Sequence, residues 1–498
     1  MTEISNFIPG VKRFRSGTYN SEFTFFPELA ILENEYERKG SSRLMKRIDF
    51  ENGTITGNIL GAALPMLVAQ ILSLLYNIVD RIYIARIPGC GTAALGAVGL
   101  CFPLIVILSA FANLFGSGGA PLFSIYRGKK ETEQANRIMN TSFTMVCVSA
   151  TLLMTIGLVF ARPLLVLFGA SADALVYAYP YMMLYLIGTL PSMIAVGMNP
   201  FINAQGYSLV GMCSVAIGAA ANLLLDPLFI FVFGLGVQGA AVATVLSQLL
   251  SASFVLLFLT KRAELRVRFL RKAEFSQCSG YAKNIVSLGT SGFVMQLTNS
   301  LVTICCNNVL SVTGGDIYIS VMTIISSVRQ LVETPIYALT EGTSPILSYN
   351  YGAKNRDRVK KAFRLLLTAS LCYSTILWAF IMLFPQVFAE MFTSDSALLS
   401  FTKSALRIYC ACLLLFGIQI ACQMAFTSFG KAKASIAVAV TRKFILLLPL
   451  IYLLPHILTG NKTNAVYMAE PIADFLAVSF TTVLFTFQFR KVLKELEG

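Results

Sequence analysis

The chain has 498 residues, of which 56% are hydrophobic and only 13% charged, with a formal net charge of +14. That is too little charge to cover a water-soluble surface, and the apolar residues fall in runs of the ~20 residues that cross a bilayer; runs such as 217–233 and 365–384 do not alternate, which argues against a β-barrel and for helices. The basic excess sits in a few loops rather than in a patch interleaved with exposed aromatics, which argues against a nucleic-acid partner.

Residues 1–56 form a mixed-charge tail, for which disorder is the expectation; Phe14, Phe23, Phe25 and Phe26 leave a cytoplasmic docking segment as the alternative. No leader peptide is apparent, so the first span serves as the targeting signal. Twelve spans are predicted, near 58–85, 93–119, 138–160, 174–204, 209–233, 238–260, 284–312, 317–347, 361–384, 398–428, 433–455 and 465–489. Lys and Arg crowd the even-numbered connections: Arg127, Lys129, Lys130 and Arg137 after span 2, Lys261 through Arg271 and Lys272 to Lys283 after span 6, Lys354 to Arg364 after span 8, Lys431 and Lys433 after span 10. The odd connections hold Arg86, Arg162 and Lys462. This alternation places both termini and every even loop in the cytoplasm.

The chain also repeats. Pro121, Ser124, Gly128 and Lys130 match Pro345, Ser348, Gly352 and Lys354 at a constant offset of 224 positions, which Phe168 and Phe392, and Gly206 and Gly430, share. Ile59 and Gln70 match Ile285 and Gln296 at an offset of 226. The predicted fold is therefore an all-α integral membrane protein with two six-helix lobes, related by a pseudo-two-fold axis along the membrane normal. Its parts are a first lobe at 57–260, a cytoplasmic linker at 261–283, a second lobe at 284–490 and a short cytoplasmic tail at 491–498. Rocking of two such lobes about the cleft between them gives alternating access.

Charge within a span is expensive and marks candidate sites. The acidic residues there are Asp80, Asp226, Glu333, Glu341, Glu470 and Asp474. Asn222 and Asp226 are four apart and share a helix face, and Thr244 follows one hairpin later. If span 1 packs beside spans 5 and 6, Asp80 joins them in an all-oxygen cluster. Such a cluster suits a hard cation, or a proton held between two close carboxylates. An Asp-Pro turn is the competing reading of Asp226, but apolar residues flank it on both sides. Glu333, beside Pro335, is read as a site residue or as polar glue between helices. Glu341 is read as structural, and Glu470 and Asp474 as a structural pair on one face of span 12. Pro65, in the helix that carries Asp80, marks a bend.

Other patterns carry no chemistry. Gly234-Leu-Gly236-Val-Gln-Gly239 has the GxGxxG spacing, but it lies between apolar helices and reads as a hairpin rather than a dinucleotide site. No Walker A sequence is present. The eleven cysteines form no CxxC and read as small buried hydrophobes. The single histidine, His456, reads as an interfacial residue and cannot build a zinc site. No cofactor is called for, and no Ser-Lys, His or metal constellation of an intramembrane enzyme is present.

The run from Leu64-Pro65 to Asp80-Arg-Ile-Tyr-Ile resembles the first helix of the MATE (multidrug and toxic compound extrusion) transporters. Asn199-Pro200-Phe-Ile-Asn-Ala-Gln-Gly206, Asn222-Leu-Leu-Leu-Asp226-Pro, Gly234 to Thr244 and Ser348-Tyr-Asn-Tyr-Gly-Ala-Lys354 are similar too, and the likeness runs from about 57 to 490. The resemblance is to the bacterial branch without a thirteenth helix. It implies export of drugs or amphipathic organic cations across the plasma membrane by a monomer, driven by inward Na+ or H+. It further implies that Asp80, Asn222, Asp226 and Thr244, with Asn199 nearby, form the first-lobe cation site, and that Pro65 is where the first helix bends. Some members carry acidic residues in spans 7 and 10; here Gln296, Asn299 and Gln423 are the polar residues, and with Glu333 they are the candidate substrate cavity. The rival within the superfamily is a flippase for a lipid-linked saccharide. Reading the intramembrane charge as mostly acidic favours cationic cargo.

Overall fold

The computed structural model describes residues 47–270, 274–393, 395–458 and 461–497. Residues 1–46, which make up most of the tail discussed above, lie outside the described residues, as do Arg271 and Lys272. The helices in chain order are α1 (Ile55–Ala85), α2 (Gly91–Gly128), α3 (Thr132–Leu167) and a bent α4 (Ala172–Ile187, then Thr189–Ala204). Then come α5 (Ser208–Pro227), α6 (Gly236–Leu257), α7 (Phe275–Thr313) and α8 (Asp316–Gly352). The last four are α9 (Arg356–Leu383), a bent α10 (Ser396–Tyr409, then Phe416–Ser428), α11 (Ala432–Ile457) and α12 (Lys462–Glu495).

Nine of these helices are long and apolar enough to cross a membrane, or eleven when each bent pair is one span. The twelfth, α8, is less apolar because it carries Arg329, Glu333 and Glu341. Side-chain caps fix several starts: Thr54 accepts from Gly57 N, Ser171 from Ala174 N, Asn355 from Arg358 N and Asn461 from Thr463 N and Asn464 N. A belt of exposed apolar side chains, including Val159, Leu224, Ile376, Phe475 and Phe487, surrounds the bundle, as a lipid-facing surface requires.

The repeat is visible in the backbone. Among the described residues, the non-glycine residues with positive φ are Lys130 (64°) and Lys354 (55°), which occupy equivalent positions in the two halves, as do Gly206 (92°) and Gly430 (69°). The bend in α4 is 57° and that in α10 is 47°. Each lobe has its own apolar core, around Ile138, Met139 and Phe201 in the first and Ile325, Leu406 and Ile451 in the second.

The lobes meet through reciprocal close approaches. A Cβ on Gly128 would lie 2.0 Å from the Tyr349 carbonyl oxygen, and one on Gly352 would lie 1.9 Å from that of Ile125. One on Gly118 would lie 2.7 Å from Gly289 N, and one on Gly342 would lie 2.7 Å from Ala63 N. In each case the second contact is the first carried through the repeat, so the lobes touch as a pseudo-two-fold pair. Gly128 and Gly352 end α2 and α8, so these contacts close the cleft at the face that bears the even loops, called the basic face below.

At that face residues 47–54 form a strap. The sequence reading carried a disordered tail to residue 56; these residues are instead packed. Ile48 N donates to Gly206 O (2.9 Å), and Arg47 pairs with Glu264 (3.0 Å), both in the first half of the chain. Glu51 accepts from Lys130 Nζ (2.8 Å) of the first lobe and from the Tyr349 hydroxyl (3.0 Å) of the second. Arg358 donates to the carbonyls of Phe50 (3.0 Å) and Gly53 (2.7 Å). The Phe50 side chain is buried against Tyr349.

Candidate functional site

Helices α1, α5 and α6 bring Asp80, Asn222, Asp226 and Thr244 together. Asn222 and Asp226, one helical turn apart, are buried, while Asp80 and Thr244 are half-buried. Asn222 Nδ2 donates to Asp226 Oδ1 (3.1 Å) and reaches Thr244 Oγ1 (3.4 Å). The Asp80 and Asp226 carboxyls face each other. Among the described residues, Asp80 Oδ1, Asn222 Oδ1 and Asp226 Oδ2 are all buried without a hydrogen-bond partner. Buried acceptors are nearly always satisfied. Three unsatisfied oxygens converging from two helices form a pocket of lone pairs that fits a small hard cation or a proton. Tyr181 and Tyr185 of α4 lie nearby, in range of Asp80; the sequence reading did not single them out.

Between the lobes lies a cavity of about 590 Å³. Asn222 and Thr244 line it, so they face both the cluster and the cavity; Gln296, Asn299 and Gln423 line it from the second lobe. Asn113 Nδ2 crosses between lobes to Gln296 Oε1 (3.2 Å), and Gln70 Nε2 crosses to Glu341 Oε2 (3.0 Å). Gln423 Nε2 rests against Met295 Sδ, and among the described residues its buried Oε1 has no partner. The aromatic and thioether walls are Tyr76, Tyr337, Met66, Met212, Met295 and Met424.

Three site expectations meet a different geometry. Asn199 lines the cavity but does not join the cation cluster: it donates to Ser214 Oγ (2.7 Å) and Gly211 O (2.9 Å) and accepts from Asn203 (2.9 Å). Ser214 is eight residues before Asn222, roughly 12 Å along α5. Glu333 does not line the cavity, because Arg329 one turn earlier binds its carboxylate at 2.5 Å. Glu341, read as structural, is exposed to the cavity and, among the described residues, is the single charged side chain lining it.

The reading of intramembrane charge as mostly acidic is also corrected. Arg329 bonds Glu470 (2.8 Å) and Asp474 (3.2 Å) as well as Glu333, and Arg442 bonds Glu470 (3.2 Å) and Asp474 (2.7 Å). Lys443 is buried in the same lobe, within electrostatic range of both acids. The three cations balance the three carboxylates. The signal was partly present in the sequence: Arg329 lies four residues before Glu333 within span 8, while Arg442 and Lys443 lie inside span 11 with no acid on their own helix. A survey of acidic residues alone passed over it.

The Gly234–Gly239 hairpin and His456 fall where the sequence reading puts them. Gly234 and Gly236 have positive φ and turn the α5–α6 hairpin, while a Cβ on Gly239 would lie 2.6 Å from the Phe229 carbonyl oxygen. His456 is exposed near the end of α11, with Nδ1 against Tyr452 O. Pro65 lies inside α1, which runs unbroken through it.

The sequence profile of the MatE family matches residues 65–228 and 292–453, one block in each lobe. The chain belongs to the MATE transporter family. The multidrug export protein MepA of Staphylococcus haemolyticus is 23% identical over 431 residues, covering 86% of this chain and 94% of MepA. The FAD transporter of Shewanella oneidensis is 27% identical over 431 residues, covering 84% of this chain and 91% of the relative. Among solved structures, a MATE protein in a bent conformation superposes with a TM-score of 0.83 at 24% identity, covering 90% of this chain and 98% of that one. An outward-facing multidrug resistance MATE transporter superposes with a TM-score of 0.82 at 23% identity, covering 90% and 99%. The protein is thus a membrane transporter with the two-lobed MATE fold rather than an enzyme.

Proposed function

We propose that this MATE transporter is a Na+- or H+-coupled antiporter that exports amphipathic, mostly cationic compounds by alternating access, as a single chain in the plasma membrane. The observation that carries the coupling is the trio of unsatisfied buried oxygens on Asp80, Asn222 and Asp226, set behind the cavity wall that Asn222 and Thr244 share. The coupling ion fills that pocket and cargo fills the cavity. A ligand shifts the lobe equilibrium only through its different affinity for the two states, so ion and cargo exchange when each favours the opposite state. The basic face is cytoplasmic by its charge.

Cationic cargo is supported by the lining: among the described residues it has one carboxylate and no Lys or Arg, with aromatic and thioether walls. An anionic dinucleotide such as the one the Shewanella relative is named for lacks a basic partner in this cavity. The same absence counts against a phosphate-bearing lipid-linked saccharide. Purified protein in vesicles, with sodium and proton gradients imposed separately, tests the reading. One gradient should drive uptake of a fluorescent organic cation and the other should not; no uptake under either overturns it. Orientation is tested by labelling single cysteines on a cysteine-free background, Gly315→Cys from outside and Leu270→Cys after permeabilisation.

A further inference from the structure

We propose that Glu341 is the anchor for the positive charge of the cargo, and that Gln70 weakens that anchor whenever the lobes are closed at the basic face. This inference rests on the export reading above and names the residues that recognise its cargo.

The argument begins with compensation. Glu333, Glu470 and Asp474 each have an arginine. Glu341 is on the same helix as Glu333, yet among the described residues it has no ion pair within 4.0 Å. It is exposed, and the space it faces is the cavity. A carboxylate kept at membrane depth with no basic partner is a position where the compensating charge arrives from elsewhere. Beside it on the lining are Tyr337, Tyr76 and the Met66 and Met295 thioethers. An organic cation thus finds a counter-ion and polarisable, aromatic walls in one place.

The second observation is the bond from Gln70. Gln70 and Gln296 are repeat equivalents, and each is in a hydrogen bond across the lobe boundary, one with Glu341 and the other with Asn113. The repeat equivalent of Glu341 is Ser117, so the charge is placed on one side of the pseudo-two-fold axis only. Next to Glu341, Gly342 meets the α1 backbone at Ala63, so Gln70 reaches the carboxylate only while α1 and α8 are closed together. The amide donates to Oε2 and draws charge away from the oxygen left for cargo. When the lobes part at the basic face, α1 carries Gln70 away, and Glu341 regains its full strength as an acceptor. Cargo is then held more tightly by the state open at the basic face and released from the state seen here, which gives export its direction if that face is cytoplasmic.

The test is equilibrium binding to purified full-length protein without any gradient, with tetraphenylphosphonium as the cationic probe and triphenylphosphine oxide as an uncharged counterpart. Glu341→Gln should weaken tetraphenylphosphonium binding by at least about tenfold, the loss of one desolvated charge contact, with the uncharged probe unchanged. Glu341→Asp should restore part of it. Gln70→Leu should tighten tetraphenylphosphonium binding while slowing its export, a split that a merely structural role for Gln70 would not produce. Equal binding by wild type and Glu341→Gln overturns the anchor and leaves the export reading standing. No wild-type binding of tetraphenylphosphonium overturns both. Should Glu341→Gln not fold, Glu341→Asp and Gln70→Leu decide: unchanged affinity in both, or weaker binding in Gln70→Leu, overturns the inference.

Discussion

The two lobes share a backbone plan but treat buried charge in opposite ways. In the first, Asp80 and Asp226 face each other with no ion pair within 4.0 Å among the described residues, and three oxygens of their cluster lack any partner. In the second, Glu333, Glu470 and Asp474 are met by Arg329 and Arg442, with Lys443 buried nearby as the third cation, so three positive charges stand against three negative. Unsatisfied acceptors can change occupancy; a satisfied network resists change, since removing any member strands another. Under the coupling proposed above, the ion moves in the first lobe and the second lobe is the rigid one. The lone carboxylate between them, Glu341, faces the cavity.

The largest effect that sharpens this contrast is in the first lobe. Asp80→Asn and Asp226→Asn should each abolish gradient-driven export, at least a hundredfold in initial rate, while insertion and thermal stability stay near wild type. Asn removes a buried charge rather than stranding one, so loss of folding is not the expected cause. Efflux from proteoliposomes at matched protein and varied sodium and pH is the measurement. Wild-type ion dependence in both variants would break the assignment.

Next is Arg442→Met, which leaves Glu470 and Asp474 to a single arginine. Breaking a buried pair from one side costs about 3–5 kcal/mol, so the melting temperature in detergent should fall clearly, while the protein that survives keeps its ion dependence. A stable variant with altered ion dependence would move coupling into the second lobe. Glu333→Gln should do less, because Arg329 retains Glu470 and Asp474 and Glu333 does not touch the cavity. Export and cargo preference should both remain close to wild type.

How much of this was legible without coordinates differs by residue. The helices, their number and the repeat follow from long apolar runs and from residues such as Gly128 and Gly352, whose spacing reflects reciprocal close contacts. Asp80, Asn222, Asp226 and Thr244 could be grouped because two are one turn apart and a third lies one hairpin away, so only the packing of α1 was unknown. Glu333 and Glu341 could not be told apart. They are eight residues apart on one helix, and what separates them is a partner, Arg329 one turn from Glu333, and a neighbouring lobe that leaves Glu341 facing the cavity. Asn199 failed for a similar reason: its motif gives its helix, but which polar neighbour it meets depends on how α4 bends.

Asn222→Ala sits between the extremes. It removes a neutral oxygen and keeps both carboxylates, so ion dependence should weaken several-fold in apparent affinity rather than vanish. Loss as complete as in Asp226→Asn would mean that the amide orients the carboxylate as well as completing the pocket.

The smallest effect is expected at the strap, which neither lobe owns. Glu51 is held by Lys130, and less by Tyr349, with its carboxyl below the usual carboxylate range. A depressed value in the docked state means that docking is favoured fully above the ordinary carboxylate range and lost as pH falls through the depressed value. Near neutral pH the contact is therefore constant, and a response to proton gradients there cannot arise from Glu51. Glu51→Gln keeps the shape and removes the charge of an exposed pair, a kind of contact that contributes little. The ratio of states closed and open at the basic face should change by no more than about a few-fold, read from distances between spin labels at the ends of α2 and α8. Arg358→Ala removes donors to two strap carbonyls and should shift the same ratio further. If Glu51→Gln alone opened the basic face, the strap rather than the reciprocal glycine contacts would be what holds the lobes shut.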